Sequence, residues 1–448
     1  MSNPSTGTFA RLRGELAQSP QLWWALLYFF CLLCGYYVLR PVRDAMGASA
    51  DLETLFPASW IAWSEARGWS LHDFTLQLLF TGTFIAMLVL QPLYGALVSR
   101  YPRRVFLPVV YLVFIACLVA FWWAFEREIP GRGALFFIWV AVFNLFAVAV
   151  FWSYMADVFD NEHAKRVYGF IGAGGTLGAL LGPAITRQLV GLIGVGNLLL
   201  VSVAFLSVCL LCIVMLRPWA IRRETGGLQP ATAPRREAMG GSIWAGLRLV
   251  ARDPLLRSLA MLMFFGVGVG TLLYNEQAAI VRQAWPDPAD ATRFYSTIDW
   301  AVNGLTIIVQ LFVTRWLLRR HGLAPALLIP AFGILLGYCL LAMSPLPLLV
   351  AATQVMTRAG EFSLAKPGRE TIYTRVDRES RYKAKAFIDT AVYRGGDLGF
   401  AWLHKGLSMF GSRVVFAVGI GIALALLSSA WQVVKRQKRL PEAPPAAS

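Results

Sequence analysis

Histidine and cysteine are scarce in this chain, four and six residues in 448. The histidines (His72, His163, His321 and His404) fall in separate segments, so the sequence offers neither a Ser-His-Asp set nor a histidine-based metal centre. The pairs Cys31/Cys34 and Cys209/Cys212 have C-x-x-C spacing but lie inside apolar runs, where redox or zinc chemistry lacks access. They read as small buried hydrophobes. The glycine-rich stretch GFIGAGGTLGALLGP misses the dinucleotide fingerprint, because from Gly172 and Gly174 the pattern arrives at Leu177 where the last glycine belongs. No strand precedes it. An enzyme is therefore a poor reading, and no cofactor is called for.

Charge is also sparse, at 15% of residues, whereas 57% are hydrophobic and the mean hydropathy is +0.58. That balance excludes an ordinary soluble domain. Apolar runs of about 20 residues, the length that crosses a bilayer as helix, recur along the chain. They predict twelve spans, near 22–40, 75–98, 105–125, 134–156, 168–190, 194–216, 256–280, 293–314, 323–343, 346–367, 386–410 and 414–434. The first ends in LRPVRD rather than at a small-residue cleavage site, so it reads as a retained helix.

The net charge of +16 would suggest nucleic acid in a soluble protein. Here the basic residues gather in alternate connections: Arg11 and Arg13, then Arg100, Arg103 and Arg104, then Lys165 and Arg166. They continue between Arg217 and Arg257, from Arg315 to Arg320, from Arg369 to Lys385 and in the tail. This is the positive-inside pattern of a multi-pass inner-membrane protein with both termini cytoplasmic. Nucleic acid is not an expected partner; membrane lipid is, and the chain is expected to be a monomer.

The Pro-, Gly- and Arg-rich stretch after residue 216 separates six spans from six. The expected parse is a bundle over 1–216, a linker with an amphipathic helix over 217–254, and a second bundle over 255–448. Spans 3, 6, 9 and 12 carry essentially no charge, which predicts three-helix repeats with those spans facing lipid, the plan of the major facilitator fold. GALVSRYPRR, Gly95 to Arg104, resembles that superfamily's loop motif G-x-x-x-D-R-x-G-R-R, and Gly95, Arg100, Arg103 and Arg104 are the candidate gating loop. Gly174, Gly178 and Gly182 recur every four residues on one face of span 5, a spacing that lets two membrane helices approach closely.

Charges inside spans are costly, about 2.5–3.5 kcal/mol each at the bilayer centre, so they are expected to face a cavity. The candidates for substrate contact are Arg40 and Arg43, Lys165 and Arg166, Glu276, Arg358, Lys385 and Arg394. Helical spacing predicts Arg358 with Glu361, Lys385 with Asp389 and Arg394 with Asp397 as charge pairs. The surplus of guanidinium groups points to an anionic solute, since arginine offers a fork matched to phosphate or carboxylate. The acids Glu276, Asp389 and Asp397 are candidates for carrying a coupling proton.

Three stretches then resemble the ATP/ADP translocase family of plastids and intracellular bacterial parasites. FWSYMADVFDNEHAKRVYGF is similar to that family's helix 4–5 connection, with Ala164, Lys165, Arg166 and Tyr168 in step. YYVLRPVRDAM is similar to the end of its helix 1, with Arg40, Arg43 and Asp44. KAKAFIDTAVYRGGD is similar to its helix 11, with Lys383, Lys385, Asp389 and Arg394, and YNEQ and FYST also align. The resemblance implies nucleotide exchange, with basic side chains holding phosphates and with Arg43 and Glu276 at required charged positions. Two departures stand out: VAVFN (140–144) lacks the family's helix 4 acid, and Asp397 stands where the family has a lysine.

The expectation is an all-α membrane protein of twelve transmembrane helices, a 6+6 major facilitator-type carrier working by alternating access. Its solute is an anionic, phosphorylated metabolite, with ATP/ADP exchange the leading case. Two alternatives are proton-coupled transport of another solute and a membrane receptor that transports nothing.

Overall fold

The computed structural model describes residues 19–100, 103–159, 161–225, 243–373, 376 and 383–438, with backbone alone at 91–100, 103–105, 161–166, 222–225 and 243–245. The described residues form helices and no strand. The first six arms are α1 (Pro20–Gly47), α2 (Thr75–Arg100), α3 (Arg103–Glu126), α4 (Arg132–Val158), and α5 and α6, the two parts of the helix Asn161–Thr225. A short helix, Ile243–Arg252, precedes α7 (Pro254–Ala284). The remaining arms are α8 (Pro288–His321), α9 (Leu323–Met343), α10 (347–373), α11 (385–408) and α12 (Ser412–Gln437).

Local chemistry sets where these arms begin. α7 and α8 each start at an Asp-Pro step. The Asp253 carboxylate accepts from the Leu255 amide at 2.7 Å, and Asp287 accepts from the Ala289 amide at 2.6 Å. The carboxylate satisfies an amide the helix leaves free, and proline supplies a preset φ without an N–H to lose.

Among the described residues, nine helices are long and apolar enough to cross a membrane, against the twelve expected spans. The difference has two physical sources. α5 and α6 are two helices that meet at Gly194 with no loop between them; its φ of 79° and ψ of 168°, open to glycine alone, break the helical path, and two expected spans are counted as one. α10 and α11 are too polar to qualify, and each passes through a wider turn with i→i+5 bonding, at Glu361–Ala365 and Ile388–Val392. α8 has a third such turn at Gln310–Thr314. The turns of α8 and α10 bond to each other: Gln310 Nε2 donates to the Phe362 carbonyl at 3.1 Å and Thr314 Oγ1 to that of Ser363 at 2.8 Å.

Two large buried clusters fill the halves, one drawn from Leu22 to Ala220 and the other from Val250 to Val434. α1 and α7 are the most buried arms and α3 the least. α9 departs from the lipid-facing role expected for span 9. It exposes Ile329, Phe332 and Leu336 on one side, while Leu327, Pro330 and Ile334 line the internal cavity on the other.

α5 lies against α1 at backbone distance. A Cβ added at Gly174, Gly178 or Gly182 would sit 2.8, 2.3 or 2.7 Å from the carbonyl oxygens of Leu26, Phe30 and Cys34. From α6, Ser202 Oγ donates to the Gly35 carbonyl at 2.5 Å, and Thr186 Oγ1 of α5 donates to that of Val38 at 3.2 Å. The buried cysteines belong to the same seam, with Cys209 Sγ 3.6 Å from the Tyr28 carbonyl.

The halves meet at the end of the bundle where α1 finishes. A third cluster there joins Ala45, Leu55, Leu76 and Phe137 of the first half to Ala278, Val281 and Tyr295 of the second. Polar contacts flank it: Gln77 Nε2 donates to the Ala401 carbonyl at 3.0 Å, and Lys405 Nζ lies 3.6 Å from Asp73.

Replacing Gly178 with alanine drives a methyl group into backbone that cannot swing aside. The expected loss is about 1–3 kcal/mol, as for other overpacked interiors, read from SDS-driven unfolding in mixed micelles. Gly169→Ala, with nothing within 4 Å of the added carbon, serves as the control and should be neutral or slightly stabilising. Equal effects at both sites would mean that the α1–α5 seam is not tight.

Candidate solute-binding cavity

A cavity of about 700 Å³ lies between the halves and takes its walls from both. It runs from Arg43, near the sealed end, to the solvent-exposed Lys366 beyond the wide turn of α10. Charge within so apolar a bundle must be paired or reach water, and its arrangement here is specific.

At the centre is Asp299 of α8, 1% exposed. Its Oδ1 lies 2.7 Å from Arg358 Nη2 of α10, and its Oδ2 lies 3.7 Å from Arg40 Nε of α1. The Arg358 contact is short, whereas Arg40 stands beyond hydrogen-bond distance of Asp299, and the Nε of each arginine has no acceptor among the described residues. Nearer the sealed end Asp44 gathers a better geometry. Arg43 donates to its Oδ1 from Nε at 2.9 Å and Nη2 at 2.5 Å, and the Tyr274 hydroxyl of the other half donates to the same oxygen at 3.0 Å. Arg43 also lies over the Phe137 ring, 4.9 Å from its centroid.

Toward the exposed end Arg369 and Glu361 pair in a two-pronged fork at 2.5 and 3.1 Å. In α11, Asp397 accepts from Thr271 Oγ1 at 3.0 Å and lies 3.4 Å from Arg394 Nη1.

Of the sequence candidates, the fold brings Arg40, Arg43, Arg358, Arg394, Glu361 and Asp397 to the cavity wall. Glu276 is placed elsewhere. It is buried between α7 and α11, with Oε1 2.9 Å from His404 Nε2, and does not line the cavity. Lys385 and Asp389 also lie off the wall. The side chains of Gly95, Arg100, Arg103, Arg104, Lys165 and Arg166 lie outside the described residues.

Two of the three expected pairs are exchanged for others. Arg358 joins Asp299 while Glu361 joins Arg369, and Lys385 meets Glu370 at 2.6 Å rather than Asp389. Both failures occur where a wide turn begins, at Glu361 and at Ile388, and the extra residue rotates the downstream side chains away from their α-helical neighbours. Arg394 and Asp397 sit together in regular helix past the turn, and there the three-residue spacing makes the pair. Sequence reasoning does not single out Arg369 or Tyr274, and it marks Asp44, Asp299 and Lys366 as charges in or at the ends of spans without assigning them to the site. The available signal is a lone acid in the apolar run IDWAVNGLTIIV and two further cations beside Arg358 in α10.

The Major Facilitator Superfamily model matches residues 44–353. The chain is 24% identical to ADP,ATP carrier protein 1 of Chlamydia muridarum, an alignment spanning 90% of this chain and 85% of that carrier. It is 21% identical to the chloroplastic ADP,ATP carrier protein 1 of Arabidopsis thaliana, over 90% of this chain and 71% of that one. Among solved structures, a POT family transporter in complex with 5-aminolevulinic acid has TM-score 0.61 at 12% identity, covering 92% of this chain and 96% of that one. A D-xylose-proton symporter has TM-score 0.59 at 14% identity, covering 93% and 97%. The structural likeness concerns the fold.

Asp299→Asn leaves two arginines facing each other without their shared anion. A loss of about 3–5 kcal/mol is expected, as for removal of one member of a buried ion pair, again by unfolding in mixed micelles; a change under about 1 kcal/mol, the range of exposed pairs, would mean the arginines are held by other contacts. Glu276→Ala leaves the buried His404 without the partner of its Nε2 and should cost about 1.5–3 kcal/mol. If Glu276 is structural, solute affinity per folded molecule should stay the same; a change in affinity with stability intact would place Glu276 in the binding path instead.

Proposed function

Because the chain belongs to the Major Facilitator Superfamily, we propose that it is a secondary carrier exchanging anionic, phosphorylated metabolites across the inner membrane, with nucleotides the leading class. The observation that carries this reading is the cavity wall. Arg40 and Arg358 share one carboxylate across the two halves, 3.7 and 2.7 Å away, and the Nε of each guanidinium has no acceptor among the described residues. An anionic oxygen bonded to those donors gives them what Asp299 does not. The relatives' names, ADP,ATP carriers from Chlamydia and from chloroplasts, support a phosphate-bearing solute.

In this reading twelve arms cross the membrane, with the bent helix crossing twice and the polar α10 and α11 crossing beside the cavity. The 217–254 segment joins bundle 1–216 to bundle 255–448, and both termini are cytoplasmic, as the basic connections indicate. The sealed end where α1 finishes is then external, and the conformation is inward-facing. A single chain supplies the complete cavity, so a monomer suffices. Gly174, Gly178 and Gly182 hold α5 to α1 as one moving unit, while the contacts flanking Asp44 and Asp73 break and re-form.

The test uses purified protein in liposomes loaded with unlabelled adenine nucleotides and measures entry of labelled nucleotide. Saturable uptake that requires internal nucleotide is the expected result. Arg358→Ala should reduce it at least tenfold, in line with removal of a charge-assisted contact worth about 1.5–3 kcal/mol. Folded protein that shows no nucleotide-dependent uptake, but flux of another solute, would overturn the reading.

A further inference from the structure

The charge that the cavity leaves uncompensated limits which phosphorylated solute it can hold. Six cationic side chains line it: Arg40, Arg43, Arg358, Lys366, Arg369 and Arg394. Four carboxylates pair with them. Glu361 and Asp397 lie on the wall, and Asp44 and Asp299 lie directly behind it. Six wall cations against these four carboxylates leave two positive charges uncompensated. Lys366 has no ion pair among the described residues, and Arg40 and Arg358 share Asp299, with Asp44 3.9 Å from Arg40 as well. Arg43, Arg369 and Arg394 pair with Asp44, Glu361 and Asp397.

A phosphate monoester carries about −1.5 to −2 at neutral pH, which matches that surplus. A nucleoside di- or triphosphate free of metal brings further negative charge, which would face Asp397 and Glu361 across a low-dielectric space. Uncompensated charge in such surroundings costs more than the added contacts return. The rest of the wall speaks to the other end of the solute: Tyr36, Tyr37 and Tyr393 line the same cavity, and aromatic faces of this kind stack on a flat ring.

We propose that the cavity selects a dianionic phosphate monoester attached to a flat ring, the chemistry of a nucleoside monophosphate, over nucleoside di- and triphosphates, and that Asp397 sets this limit. The inference rests on the anion-carrier reading and narrows it. Asp397 is the acid best placed for the role. Its partner Arg394 is 36% exposed and 3.4 Å away, a loose pair on the wall, whereas Asp44, Asp299 and Glu361 each hold a guanidinium at 2.7 Å or less. Asp397→Asn keeps an oxygen for Thr271 to donate to and frees Arg394 for one more negative charge.

The experiment is calorimetric titration of the purified full-length protein in metal-free buffer with adenosine monophosphate, diphosphate and triphosphate. The methyl ester of the monophosphate, which has one charge fewer, and ribose 5-phosphate, which lacks the ring, complete the series. The monophosphate is expected to bind tightest, with the diphosphate and the methyl ester each about tenfold weaker, the order of effect of one unmatched charge at cavity distances. Ribose 5-phosphate should also be weaker. In Asp397→Asn the gap between mono- and diphosphate should close or reverse.

Wild-type protein that binds the di- or triphosphate as well as the monophosphate overturns this inference and leaves the nucleotide-carrier reading standing. Ribose 5-phosphate equal to the monophosphate overturns the part played by the ring. Folded protein that binds none of the series overturns both readings. The wild-type series needs no variant, so a poorly folding Asp397→Asn would not rescue the proposal.

Discussion

The structure turns on one carboxylate held by two arginines from opposite halves of the molecule. Asp299 sits where α8 passes both α1 and α10, and it reaches Arg40 on one side and Arg358 on the other. In an apolar bundle the two arginines depend on the acid between them, because removing Asp299 leaves Arg358 without an ion-pair partner and Arg40 with only the more distant Asp44. Arg358 is held closely and Arg40 at longer range, and the Nε of both has no acceptor among the described residues, so attraction holds the cluster while donor capacity stays unused. A cluster of this kind is stable when the cavity is empty and still gains when an anion arrives. A fully hydrogen-bonded triad would have nothing further to offer.

The wide turns of α8, α10 and α11 are part of the same constraint. A regular helix carrying Arg358 and Glu361 on adjoining faces would let them neutralise each other and leave the cavity without a free fork. The i→i+5 turn beginning at Glu361 sends the acid to Arg369 and leaves Arg358 to face Asp299. The turn is anchored by Gln310 and Thr314, which donate to carbonyls that the irregular bonding of α10 leaves available. The polar pattern of the cavity is thus set by backbone irregularity as much as by which side chains are present.

This explains what could be read in the sequence and what could not. Apolar run length marks most arms to within a few residues, because crossing a bilayer imposes a minimum length. The four-residue glycine spacing marks a face of α5, but its partner, the carbonyls of α1, lies 148 residues earlier in the chain and leaves no local trace. The six wall charges Arg40, Arg43, Arg358, Glu361, Arg394 and Asp397 are visible as charges out of place. Their pairing is not, since spacing rules assume 3.6 residues per turn and fail where a wide turn intervenes. Glu276 misleads for a related reason: an acid in an apolar helix looks functional until its neighbour, His404 on α11, is seen. His404 alone gives no hint of that pairing.

The energetics of the sealed end complete the picture of a carrier. Each half has its own extensive buried core, and the cluster joining them at the end of α1 is small by comparison. The polar contacts around it are of modest strength. Lys405 meets an Asp73 that is 61% exposed, and pairs of that kind are worth about 0–1 kcal/mol. Separating the halves at this end therefore leaves both large cores intact, while it opens the smaller apolar cluster and breaks the flanking polar contacts, the Tyr274–Asp44 hydrogen bond among them. Asp44 keeps Arg43 when that bond breaks, because the pair is made within α1. Asp299 is different: its two ion-pair partners, Arg40 and Arg358, belong to opposite halves. A solute anion that takes over Arg40 from Asp299 loosens the electrostatic tie between the halves while leaving Asp299 paired with Arg358 inside its own half. In the proposed carrier, occupancy of the cavity and freedom of the two halves to move are thus coupled through a single buried carboxylate.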